Sequence, residues 1–289
     1  MDKMDDKMDK VKKMTKKRSA RARNRTKLLI FLILAGLLVL LSIFAPLLTP
    51  NDPDATNALH MNEAPSRAFP FGTDRYGRCI CSRVLMGART SIFSAVALVA
   101  ATFVFGTVLG MLAGWCGGVA DSLVMRLADV FLAFPQMVLA IAVAGILGGG
   151  IFNAMLAMGI TGWTLYARLA RAQVLAMKEE AYVNAARLSG CSALSIMFKT
   201  LLPNMLGPMV VNASIQIGTM MVGIAGLSFL GIGVQEPQAE WGSMINASRA
   251  YIQLAPWAVL GPAVATIITV MVFNYLGDCV RDYMDVEAA

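Results

Sequence analysis

Charge is scarce in this sequence. Asp, Glu, Lys and Arg make up 15% of its 289 residues, against 57% hydrophobic residues; a soluble domain carries about 25% charged residues. The shortfall is local. Leu28–Ala45 and Phe93–Ala113 contain no charge at all. A bilayer's hydrocarbon takes roughly 20 apolar residues as a helix, and a soluble core helix would keep one polar face. Histidine is scarcer still, with His60 alone. A Ser-His-Asp triad or a histidine metal cluster therefore has only that residue to draw on, and in its polar loop His60 reads as a solvated side chain. The chain has no GxxxxGK[ST] run, and no Gly is followed by Lys, which excludes a phosphate loop of that type. Carboxylates within apolar stretches are few: Asp129 and Asp278 lie near span ends. An ion- or proton-driven transporter would carry ionisable groups at membrane depth, so the energy for any transport comes from elsewhere. No cofactor is called for.

What charge there is sits in one place. The positive charge is concentrated in residues 1–27, where 12 Lys and Arg face four Asp, a basic tail of repeating Met, Asp and Lys expected to be disordered. Nucleic acid is a poor explanation for it. Basic residues flanking a span mark the cytoplasmic side, and such a tail can touch anionic lipid heads. The apolar stretch that follows is near twenty residues, longer than the roughly 7–15 of a signal peptide, so an uncleaved first span is expected at 28–48.

The rest of the chain reads as an all-α integral membrane protein of about six transmembrane helices. A polar loop occupies 49–90. A five-helix core covers 91–279, with spans expected at about Ser91–Gly114, Leu123–Ile146, Ile151–Leu169, Leu206–Gly231 and Trp257–Leu276. Gly106, Gly110 and Gly114 are spaced by four on one helical face, the pattern that lets backbones approach in lipid. Arg126 and Asp129 can pair at i, i+3, and Pro135 should kink its helix. Cys79 and Cys81 form a Cys-Ile-Cys pair, either a weak metal-binding signal or two small apolar residues. With the N-terminus inside, 114–122, 170–204 and the tail at 280–289 are cytoplasmic and hold most of the Lys and Arg; the loop at 49–90, with Arg67, Arg75, Arg78, Arg83 and Arg89, is the partial exception.

Residues 170–204 break the apolar pattern. Arg171, Lys178, Glu179, Glu180, Arg187 and Lys199 sit among Ala and Leu, with few breakers from Arg171 to Ser189, then Gly190, then more helix to Pro203. Ala185, Ala186 and Gly190 offer a small-residue face. Two readings stand level on periodicity alone: an interfacial helix between spans, or a rigid element against which a separate motor pushes.

At these residues the chain resembles a known family. Ala181-Tyr182-Val183-Asn184-Ala185-Ala186-Arg187-Leu188-Ser189-Gly190, followed by Leu201-Leu202-Pro203-Asn204, resembles the EAA loop of binding-protein-dependent ABC importer permeases. Ala185, Ala186, Gly190, Leu202 and Pro203 match that motif, whereas Asn184 stands where its Glu is usual and Thr200 where Ile is usual. Phe71-Gly72-Thr73-Asp74 with Gly77-Arg78, Met125-Arg126-Leu127-Ala128-Asp129 with Phe134-Pro135, Leu227-Ser228-Phe229-Leu230-Gly231 and Ala239-Glu240-Trp241-Gly242 are similar to the second permease of dipeptide, oligopeptide and nickel importers, with Cys79 in place of an expected Asp. The resemblance implies a transport subunit of the cytoplasmic membrane without its own ATPase site. It implies as partners a homologous second permease, two ATPase subunits, with the loop as the coupling helix that docks into a cleft of the ATPase subunit, and an extracytoplasmic binding protein. It also implies alternating access, with both termini cytoplasmic. For substrate, residues 239–246 and 186–190 lean to nickel or a nickel chelate over peptides. Asn212 and Gln216 are candidates for the substrate pathway. The rival readings are a stand-alone channel or secondary transporter, a membrane-embedded enzyme and an exporter subunit.

Overall fold

The computed structural model describes residues 2–288, with side chains described for 23–284. Ten helices follow in chain order, without a strand among the described residues: α1 (Asp2–Leu48), α2 (Ile80–Cys116), α3 (Gly118–Leu132), α4 (Gln136–Leu147), α5 (Ile151–Met177), α6 (Ala181–Leu188), α7 (Ala193–Ile196), α8 (Leu202–Phe229), α9 (Trp241–Ser248) and α10 (Trp257–Ala288). Four stretches are long and apolar enough to cross a bilayer: Arg23–Leu48, Ile80–Cys116, Ala193–Phe229 and Trp257–Met284. The bent pair α3 and α4 brings the number to five. The 27-residue α5 covers the sixth span that the sequence leads one to expect but is not among the helices apolar enough to count as one. It is less apolar because Thr161, Thr164, Tyr166, Arg168 and Arg171 lie on it. The 1–27 tail lies outside the residues described with side chains, except for its last five.

The centre of the molecule is α2 against α5. Carbon atoms added at Gly106 and Gly110 would run into the backbone carbonyls of Trp163 and Ala167, and one at Gly114 would come within 2.9 Å of Val174 Cβ. The glycine face therefore does what its spacing leads one to expect, seating one backbone against another where lipid gives apolar side chains no reason to associate. On α5 the facing residues are small as well: Ala154, Ala157, Ala167 and Ala170 are fully buried. Met111, Met205, Met209, Met220 and Met221 fill the gaps around them, all but inaccessible; the flexible thioether suits irregular space. Around this centre, α8 packs on α10, and α1 lies across α10 and α2, where Phe31 and Tyr275 stack at 5.3 Å between ring centres. The outer faces carry Leu29, Ile33, Leu40, Val104, Ile267 and Met271 exposed, the apolar surface that lipid covers.

Three expectations change here. The span expected at Leu123–Ile146 with a kink is two helices, α3 and α4, meeting at 87°. Proline lacks the N–H and drives the residue before it out of the helical region, and α4 restarts with Pro135 as its cap. Asp129 does not pair with Arg126; it accepts from Arg168 of α5, so the ion pair staples two helices instead of one face. The second span does not begin at Ser91. Its helix starts eleven residues earlier at Ile80 and carries both Arg83 and Arg89 in its first turns.

Candidate functional site

Functional geometry concentrates at the two ends of the bundle. At one end, α5 stops at Met177 and the chain turns through Lys178 and Glu179 into Glu180, whose extended backbone caps α6. The expected continuous helix from Arg171 to Ser189 is therefore broken at 178–180, which places Glu180 at the head of α6, where negative charge meets the positive end of the helix dipole. The helix closes through Gly190 (φ +78°), with Cys191 N–H donating to Ala186 O at 3.1 Å and Gly190 N–H to Arg187 O at 3.0 Å. That is the left-handed C-terminal closure glycine favours. Nothing lies within 4 Å of a carbon placed on Gly190, so φ, not space, requires it.

Only one residue of α6, Val183, is buried. The helix is held from beneath by Val183 and from the side by Arg187, whose guanidinium lies 4.8 Å over the Trp115 ring at the end of α2. Asn184, at the position of the motif's Glu, is used internally: it donates to Glu179 O at 3.0 Å and accepts from Arg187 at 3.3 Å. Apolar side chains point away from the bundle instead, with Leu188 91%, Leu194 63% and Phe198 49% exposed. Of the residues singled out by sequence, Ala185 and Gly190 lie on the open surface, and Ala186 turns half-buried toward the core. Leu202 and Pro203 begin α8. Asn212 donates to Pro208 O at 2.9 Å and lines a cavity of about 260 Å³ with Val211, Ile215, Arg281 and Met284. Gln216 lies one turn further along α8, half-buried.

At the other end, the 49–79 loop and the loop after α8 are locked together by charge. Arg78 donates through Nε to Asp74 at 2.7 Å and through Nη2 to Glu236 at 2.7 Å, and Arg75 also reaches Glu236, at 3.0 Å. Arg83, 2% exposed, donates to Pro53 O at 3.1 Å, Asp54 Oδ1 at 3.0 Å and Pro237 O at 3.1 Å. Glu240 caps α9, accepting from the N–H groups of Gly242 at 2.9 Å and Ser243 at 2.8 Å and from Ser91 Oγ at 3.2 Å. Two indole N–H groups complete the lock: Trp241 donates to Val84 O at 2.9 Å and Trp257 to Thr73 O at 3.2 Å. This network explains the arginine-rich exception among the loops, since Arg75, Arg78 and Arg83 are each matched by an acid. His60 contacts Glu63 at 2.6 Å beside the Phe69 ring. Cys79 is buried just before α2 and Cys81 half-buried within it. Among the described residues no group of three His, Cys, Asp or Glu could hold a metal.

Burial pushes the Glu236 carboxyl up, but Arg78 and then Arg75 pull harder, leaving it below the ordinary 4.5. A carboxylate depressed by folding contributes stability that is complete above its unfolded value and fades as pH falls through its folded one. The melting temperature is therefore expected to hold level between about pH 7 and 5 and to fall below about pH 4. Glu236→Gln is expected to lower it at neutral pH and flatten the acid limb; a variant with an unchanged pH profile would show that the lock does not form. For Glu240, burial dominates and raises the carboxyl, against the pull of Gly242, Ser243, Ser228 and Ser91.

A bundle of long apolar helices with an exposed, loop-borne helix standing at one end is the architecture of a multi-pass membrane protein. Residues 106–286 match the binding-protein-dependent transport system inner membrane component family, and residues 22–65 match the N-terminal TM domain of oligopeptide transport permease C. The chain belongs to this family. It is 41% identical to the dipeptide transport system permease protein DppC of Alkalihalophilus pseudofirmus, over 88% of this chain and 84% of that one. To the probable D,D-dipeptide transport system permease protein DdpC of Escherichia coli it is 40% identical, over 89% and 86%. To the nickel transport system permease protein NikC of the same species it is 37% identical, over 88% and 92%. A solved inward-facing structure of the MetNI methionine ABC transporter shares the fold, with a TM-score of 0.50 at 21% identity over 68% of this chain and 94% of that one.

Proposed function

We propose that this permease moves short peptides inward across the cytoplasmic membrane by alternating access, driven by two ATPase subunits, one of which docks on α6. The observation that carries the coupling half is α6 itself, an eight-residue helix anchored by one buried side chain and presenting Leu188 to open space. Leu194 and Phe198 of the following segment are exposed as well, and exposed apolar surface gathered in one patch marks an interaction site. On this reading α6 and both termini are cytoplasmic, and the locked 49–79 loop faces outward, toward a binding protein. A homologous second permease completes the pore, and lipid covers the remaining apolar faces. The chain supplies no ATPase site; it converts ATPase closure into helix movement.

The substrate half departs from the leaning to nickel that residues 239–246 and 186–190 carried. Peptide permeases stand at 37–41% identity and the nickel permease at 37%, so identity does not divide them; what supports the peptide reading is the cavity nearest the locked loops, which carries charges of both signs, Asp54 and Arg89, as a zwitterion needs.

Leu188→Glu and Ala185→Glu, which face outward and leave α6 its anchor, are expected to cost at least tenfold in ATP-driven uptake of alanyl-alanine, the loss a hot-spot contact of about 1.4 kcal/mol or more commands. The ATPase subunits should be lost from the purified complex in parallel. Gly190→Asn, which tolerates the left-handed turn, should retain both. Uptake by the chain alone without ATP would favour the stand-alone transporter, and uptake of nickel but not of alanyl-alanine would replace the peptide reading by the metal one.

A further inference from the structure

The cavity beside the locked loops encloses about 760 Å³ between the 49–79 loop, the first turns of α2 and the start of α5. That size lies within the roughly 300–1,000 Å³ of small-molecule sites. Its wall is mixed: Phe93 and Met155 are apolar, and Asp54, Arg89, Thr90 and Gln238 are polar or charged. Arg89 differs from the other arginines at this end. Arg75, Arg78 and Arg83 each meet a carboxylate, whereas Arg89 is exposed and no acid among the described residues pairs with it. Asp54 gives one oxygen to Arg83 at 3.0 Å and remains 58% exposed at its side chain. The wall is rigid. Gln238 follows Pro237, whose carbonyl Arg83 holds, and precedes the α9 cap by two residues; Arg89 lies two residues before Ser91, which bonds Glu240 at 3.2 Å.

We infer that this cavity is a binding station for a zwitterionic short peptide, with Arg89 taking the peptide carboxylate and Asp54 its ammonium group. This rests on the peptide reading above. A guanidinium presents parallel N–H groups that match a carboxylate in two bonds at once, and the opposed charge of Asp54 orients the other end. A free divalent cation meets the like charge of Arg89 and has no cluster of ligands there. The station is a property of the wall that the outer loops hold in place, so it serves substrate before the spans rearrange.

The test separates uptake from binding. In proteoliposomes holding the whole transporter with its binding protein, ATP-driven uptake of radiolabelled alanyl-alanine reads the peptide function. Equilibrium dialysis of the same dipeptide against the purified complex without binding protein reads the station. Arg89→Ala and Arg89→Gln are expected to weaken dipeptide binding about ten- to a hundredfold, the range of one charge-assisted bond. Arg89→Lys should recover part of it. Alanyl-alanine amide, which lacks the carboxylate, should bind the wild type weakly and be indifferent to the substitution. Uptake of alanyl-alanine with no binding to the wild-type complex, or with binding unchanged by Arg89→Ala, overturns the station and leaves the peptide function standing. Uptake of nickel alone overturns both. Loss of the second permease from the Arg89→Ala complex shows the cavity to be filled by protein and also overturns it.

Discussion

Gly110→Ala is expected to lower the melting temperature of the purified protein by roughly 5–10 °C, although alanine is the better helix former by up to about 1 kcal/mol. The sign is the informative part. A carbon at Gly110 would run into the Ala167 carbonyl, with the Ala167 Cα and carbonyl carbon both at 2.8 Å. These are backbone atoms and cannot rotate aside, so α2 and α5 must separate. Separation also loosens the edge-on ring pairs that flank the contact, Phe103 with Tyr166 at 5.3 Å and Phe105 with Trp163 at 5.8 Å. Overpacking a fitted core costs about 1–3 kcal/mol, and a collision between two backbones belongs at the upper end. Gly36→Ala is the matched control: no atom lies within 4 Å of the added carbon, so it should be neutral or slightly stabilising. If thermal unfolding in detergent finds Gly110→Ala as stable as the control, the two helices do not pack as closely as described.

That contact was legible in the sequence because its signal is local. Three glycines at a spacing of four define a face without any knowledge of the partner. The same holds for the break at Pro135, whose position was readable although its angle was not: whether a proline kinks or divides a helix depends on what the second half packs against, and α4 leaves α3 to lie on α5. The loop of α6 was legible as helix and misread as continuous, because Lys178, Glu179 and Glu180 are good helix formers and their composition gives no hint of a turn. Ala186 was read as outward-facing from its size alone, while the structure turns it toward the core and leaves Leu188 outside. The charge lock was not legible at all. Its bonds join Arg78 to Glu236 and Arg83 to Pro237, more than 150 residues apart, and no periodicity connects them. What the sequence did show was its residue, an excess of arginine in a loop where the charge rule expected little.

The lock makes Arg83 the second position where a single change should be severe. Its guanidinium, 2% exposed, joins three segments: the 49–79 loop through Pro53 O and Asp54, the loop after α8 through Pro237 O, and its own helix α2. Arg83→Met fills much of the same volume but leaves two carbonyls, Pro53 O and Pro237 O, without their donor. Removing one partner from a buried charged group costs about 3–5 kcal/mol. Asp54 is 58% exposed, so water replaces most of its share, and a loss near 3 kcal/mol is expected. Arg83→Lys should recover only a part, since a compact ammonium lacks the planar fork that reaches acceptors on different sides. Asp54→Asn, which removes only the half-solvated partner, should cost less than about 1 kcal/mol. Limited proteolysis of the 49–79 loop, together with the melting temperature, reads the effect: Arg83→Met should expose the loop to cleavage and Asp54→Asn should not. Equal losses from the two substitutions would place the strength of the lock in the ion pair, and intact protection in Arg83→Met would mean that other contacts, such as the indole of Trp257 on Thr73 O, hold the loop without the arginine.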